Sequence, residues 1–117
     1  MKRDAPMMMD DQQLATVARA LSHPARITIL RLLAAQVECR GAEVFSEIPL
    51  AQSTISEHLR VLKEAGLVSS HPVGTSMVYC LQRGPVDDLL ASVGAIVENA
   101  EQCDEQLTAS RRGVRDE

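Results

Sequence analysis

Two sets of side chains in this sequence have chemistry to offer. One is a set of three thiols, Cys39, Cys80 and Cys103. Thiolates are soft donors that select thiophilic ions, and a pair of them can also be oxidised. The count is odd and the spacings are wide, which is no disulfide framework, so the expectation is reduced thiols in a cytoplasmic protein. The other set lies in the run QSTISEHLRVLKEAG from Gln52 to Gly66, where hydroxyls, an amide and cationic groups interleave with aliphatics.

That run has the marks of a capped amphipathic helix. Thr54 and Glu57 have capping-box spacing, Ile55, Leu59 and Leu62 form an inward stripe, and Gly66 sits where a left-handed C-terminal residue belongs. Gln52, Ser53, Thr54, Ser56, His58, Arg60 and Lys63 are then expected on the outside. Short hydroxyls near a helix N-terminus can approach base edges, and Gln can pair with adenine through two hydrogen bonds. The first amides of the helix favour a phosphate. Arg60 and Lys63, farther along, suit backbone contacts that position without specifying. Glu57 fits as a cap or as an acceptor for a cytosine amino group. Any exposed helix face shows such residues, so the elements around this one must decide its role.

Those elements read as follows. Asp10 and Asp11 offer an N-cap to a first helix carrying Leu14, Val17, Ala18 and Leu21 at i, i+3, i+4 and i+7. Ser22 or His23 can cap a second, with Pro24 in its first turn and Ile27, Ile29, Leu30, Leu32 and Leu33 along it. Val37 to Cys39 is a brief strand or bend. Ala42 to Glu47 is a short helix that Pro49 cannot extend. Short helix, turn and capped helix together spell helix-turn-helix. Leu67 to Ser70 and Met77 to Leu81 are strand-like, joined through a turn with Pro72 and Gly74, which makes a wing. Asp87 and Asp88 open a last helix with Leu89, Val93, Ile96, Val97 and Ala100 on one face. The first and last helices look too apolar for one thin domain to cover, which implies a homodimer. The fold class is mainly α with a small β-hairpin wing. The expected organisation is a flexible N-terminus over residues 1–9, a winged helix-turn-helix domain over 10–107, and a disordered polar tail over 108–117.

Composition narrows the functions. With 117 residues, one Tyr, one Phe and no Trp, the chain can build a small aliphatic core but no deep catalytic cleft. A Cys nucleophile with a His base finds no Gly-rich loop or acid pair beside it, so no enzyme is expected. No stretch approaches the ~18 apolar residues of a membrane span, and the start lacks the apolar core of a secretory signal. The net charge of −4 looks wrong for a nucleic-acid binder, but it is unevenly spread. Residues 12–84 carry seven basic against five acidic groups, residues 85–117 three against eight. The mildly basic middle permits DNA binding.

The segments ALSHPAR (Ala20 to Arg26) and LAQSTISEHLRVLKEAGLV (Leu50 to Val68) resemble the ArsR/SmtB family, and the likeness runs from about Leu14 to Leu81. It implies a dimeric winged-helix repressor that leaves double-stranded operator DNA when an inducer binds. It places Gln52, Ser53, Thr54, Ser56 and His58 on the DNA-reading helix, and the turn with Gly74 and Thr75 on the wing. Val73 to Ser76 lacks the Arg or Lys often found there. The family's arsenic site is a C-x-C-type pair; Cys39 matches its first member, and Gly41 stands at the second. Cys80 matches one of two wing-strand cysteines of some relatives, with Val78 at the other. A winged helix commonly pairs the strand before the middle helix with the second wing strand, which would make Cys39 and Cys80 neighbours. With Cys103, given by a partner subunit, they could bind As(III) or Sb(III) as inducer. The alternatives are small buried hydrophobes, an idle surface thiol at Cys103, or a redox or persulfide signal through Cys39 and Cys103. The last helix has no His for a zinc site. His23 reads as a cap, His58 as a DNA contact and His71 as a surface strand-end residue.

Overall fold

A computed structural model describes residues 7–35, 39–98 and 100. Cys103 and the tail lie outside them.

Helix α1 (Asp11–Ala20) starts at a reciprocal box. Asp10 accepts from the Gln13 amide at 2.8 Å, and the Gln13 side chain accepts from the Asp10 amide at 3.1 Å. Helix α2 (Pro24–Ala34) has His23 as its N-cap, with Nδ1 accepting from the Ala25 amide at 3.1 Å, and Pro24 at its first position. Strand β1 (Arg40–Gly41) comes next, then a single 3-10 turn, Ala42–Phe45. The expected helix to Glu47 stops short because Pro49 bars another turn. Helix α3 (Gln52–Glu64) ends in a Schellman motif. The Gly66 amide donates to Lys63 and the Leu67 amide to Leu62, both at 3.0 Å, with Gly66 at φ 80°.

Strands β2 (Val68–Val73) and β3 (Ser76–Leu81) form the hairpin, with Val73 opposite Ser76. A two-residue loop with positive φ at Gly74 alone is a type II′ turn, and its first position favours glycine. β1 adds antiparallel to β3, giving the order β1-β3-β2; the strand is Arg40–Gly41 rather than Val37 to Cys39, whose first two residues lie outside the described ones. Pro72 lies within β2 rather than in the turn. A proline is tolerated there because β2 is an edge strand, where the missing N–H breaks no ladder. Helix α4 (Gly84–Glu98) begins before Asp87 and Asp88.

The core joins Val17 and Ala20 of α1, Ile29 and Leu33 of α2, Phe45, Ile48, Leu59 and Leu62 of α3, and Leu67 and Val68. Ile29, Leu62 and Leu67 are fully buried, each contributing about 1.5–3 kcal/mol of transfer free energy.

The two terminal helices differ. α1 puts Val17 and Ala20 into this core with Leu21 packed against it, leaves Ala18 exposed, and packs on α4. α4 leaves Leu90, Val93, Ile96 and Val97 open at 64, 42, 60 and 53% exposure. Two of its polar residues, Asp88 and Ser92, are buried. They accept from the Met7 and Met9 amides at 2.8 and 2.9 Å, which lays residues 7–9 along α4. Residues 1–6 are outside the described part.

Candidate nucleic-acid interface

The N-terminal half of α3 presents Gln52, Ser53, Thr54 and Ser56 to solvent, and Lys63 is exposed nearer its end. Its N-cap is Ala51, which has no side chain to accept from the first amides. The Thr54–Glu57 box does not form. Thr54 already lies within the helix, its amide donating to the Ala51 carbonyl at 3.0 Å, and Glu57 turns to Arg60. α3 thus begins with amides that no side chain satisfies, an anion-accepting end.

Arg60 is exposed but engaged. Its Nη1 donates to Glu64 at 2.6 Å, its Nε to Glu57 at 3.1 Å, and its Nη2 also pairs with Glu57. These contacts raise the Arg60 pKa above its ordinary value, and the hydrogen bond from Arg60 lowers that of Glu57. A guanidinium held by two carboxylates must leave them to meet a phosphate.

His58 is not on the outer face where the sequence placed it. It is 8% exposed, and its Nδ1 lies 3.2 Å from Arg26 Nη1. The signal was legible, since Ile55, His58, Leu59 and Leu62 fall at i, i+3, i+4 and i+7. The polarity of the imidazole masks that period. Arg26 and His23, the latter stacked at an angle with ring centroids 4.5 Å from His58, are the partners that reading missed.

The wing tip carries Gly74 and Thr75, both exposed, between exposed Val73 and Met77. No cation stands in β2, the turn or β3.

Cys39 and Cys80 come together as foreseen but in another state, joined by a disulfide of 2.01 Å with Cα atoms 4.6 Å apart. The expectation of reduced thiols is corrected here. The cause is register: Arg40 faces Tyr79 and Gly41 faces Val78, so the next position back sets Cys39 against Cys80. Cys39 is exposed and Cys80 half-buried. Among the described residues, no three His, Cys, Asp or Glu side chains gather where they could hold a metal ion. Nor does any helix among them have the length and apolarity to cross a membrane.

The family model described as "Bacterial regulatory protein, arsR family" matches residues 23–70, from the cap of α2 into β2. An HTH-type transcriptional regulator of Methanocaldococcus jannaschii is 32% identical over 74% of this chain and 93% of its own length. This chain belongs to the ArsR family. That is a class of DNA-binding transcriptional regulators and not of enzymes. A regulator of Mycobacterium tuberculosis is 37% identical over 62% of this chain, and the match spans 64% of that protein's length, just under two thirds. A homodimeric winged helix-turn-helix DNA-binding domain of Mycobacterium bovis superposes with a TM-score of 0.56 at 27% identity. That match covers 83% of this chain and 93% of that one.

Proposed function

We propose that this ArsR-family protein is a homodimeric, sequence-specific repressor of operator DNA, and that the Cys39–Cys80 pair gates it. The open N-terminal face of α3, with Gln52, Ser53, Thr54 and Ser56 around uncapped amides, carries the DNA reading. Small polar side chains there let the backbone approach the major groove. Lys63 supplies a phosphate contact. Gly74 and Thr75 bring the wing close with little charge of their own.

The uncovered stripe Leu90, Val93, Ile96 and Val97 supports pairing with a second copy, in line with the homodimeric neighbour from Mycobacterium bovis. Two α3 helices presented about one axis would read two half-sites.

For the signal, the donor count among the described residues favours oxidation. As(III) or Sb(III) would find only two thiolates, Cys39 and Cys80, among the described residues, with no third donor beside them. A two-electron oxidant needs only the pair. The two thiols give two electrons and two protons to a peroxide, which leaves as water, and the S–S bond forms. That bond ties the segment before β1 to the wing strand β3, so the wing loses freedom to settle on the DNA backbone.

The test is fluorescence anisotropy of the reduced dimer on a duplex recovered from a random pool, with peroxide, arsenite or zinc added. Peroxide is expected to weaken binding about tenfold or more, equivalent to ~1.4 kcal/mol, with the effect lost in Cys39→Ser and in Cys80→Ser. Release by arsenite but not by peroxide would replace oxidation with metalloid binding. Binding that none of these disturbs would reduce the pair to a structural link.

A further inference from the structure

Between the recognition helix and the rest of the domain lies a small polar joint that the DNA-reading face does not include. Arg26, in the first turn of α2, bridges three helices. Its Nε donates to the Ala20 carbonyl at 2.8 Å and its Nη2 to the Arg19 carbonyl at 3.3 Å, both at the C-terminus of α1. A cation there also meets the negative end of the α1 dipole. Its remaining branch reaches 3.2 Å to His58 Nδ1 on α3. His23, the cap of α2, closes the other side of the same imidazole.

A guanidinium has donors and no acceptor, so this contact requires Nδ1 of His58 to be bare, with the ring proton on Nε2. We propose that Arg26 and unprotonated His58 form a positioning joint that fixes α3 on α1 and α2, and that protonating His58 breaks it and weakens DNA reading. An imidazolium would set N–H against N–H across that gap, beside a fixed cation. The inference rests on the DNA-binding reading above and adds a pH-dependent support to it.

The charged and titratable groups that act on His58 are few. Arg26 and His23 lie on the α2 side, and Glu57 is on its own helix. Burial first, then His23 and Arg26, hold His58 below the usual histidine range, while Glu57 opposes them. A folded-state value below the unfolded one means the unfolded chain takes up the proton first. The stability supported by the joint is therefore present above pH about 6.5 and is lost as pH falls below it. A general gain of positive charge at low pH would strengthen DNA binding; the joint acts with the opposite sign.

Two measurements on the full chain test this. In an NMR titration of the three imidazoles, His58 is expected to titrate below its ordinary value, and Arg26→Gln should move it upward. A His58 that titrates at or above that value, or ignores Arg26→Gln, overturns the joint. The second is the affinity for a duplex recovered from a random pool, followed between about pH 7.5 and 5.5. Wild type should lose about tenfold, one unit of differential protonation. His58→Asn places an untitratable oxygen near the Nδ1 position, so it should keep the neutral-pH affinity and lose the slope. His58→Leu, with no acceptor, should bind weakly at both ends. A His58→Asn protein with the wild-type slope would overturn the proposal while leaving DNA binding intact. A wild type that recovers no duplex would instead remove the DNA-binding reading itself.

Discussion

The two faces of α3 are built from the same thirteen residues and answer to different demands. The inner face puts Leu59 and Leu62 into the core, with His58 against Arg26, and every group there has a partner. The outer N-terminal face offers Gln52, Ser53, Thr54 and Ser56 to solvent, above an uncapped helix end. On the proposed function, stability is concentrated on one side and recognition on the other. Changes on the two faces should therefore separate into different measurements.

The largest effect is expected inside. Leu62→Ala should cost about 2–5 kcal/mol in denaturant unfolding, because a fully buried leucine leaves both lost transfer energy and a cavity. Its DNA affinity at low temperature, where the protein is folded, should change little; a large loss there would blur the division between faces.

Next is the apolar stripe of α4, where a charge at an exposed position acts on assembly rather than on folding. Val93→Glu should give monomers in sedimentation with an unfolding midpoint close to that of the wild-type monomer. Dimers that persist would put the interface elsewhere. The smallest effect concerns Arg60. Its pairs with Glu57 and Glu64 are solvent-exposed and screened, so Arg60→Ala should barely move stability. If those pairs persist on DNA, the slope of log affinity against log salt should also change by less than about one phosphate's share. A full unit of change would mean Arg60 leaves its carboxylates for the DNA backbone.

Much of the fold was legible because it is written in period and punctuation. The leucine and isoleucine stripes gave the helices, Pro24 and Pro49 their limits, Gly66 the end of α3 and Gly74 the hairpin turn. The approach of Cys39 to Cys80 followed from strand pairing. What escaped was polar burial. His58 sits at a core-facing position by spacing, while Asp88 and Ser92 lie one residue off the apolar stripe of α4; each is satisfied by a group distant in sequence, Arg26 for the first and the Met7 and Met9 amides for the others. A local reading cannot see such a partner, and it sends the polar residue to the surface. The same holds for the caps: Thr54 and Glu57 have the right spacing for a box, but Ala51 starts the helix and Arg60 takes Glu57. The oxidised state of the thiols depends on the facing strand as well.

The central claim is that the outer N-terminal face of α3 reads DNA. The most direct measurement is the affinity of the triple variant Gln52→Ala, Ser53→Ala, Ser56→Ala for the duplex selected by the wild type, alongside its unfolding midpoint. Loss of about 100-fold or more in specific affinity, the scale of one to three base contacts, with the midpoint kept, is the predicted result. Wild-type affinity in the triple variant would contradict it.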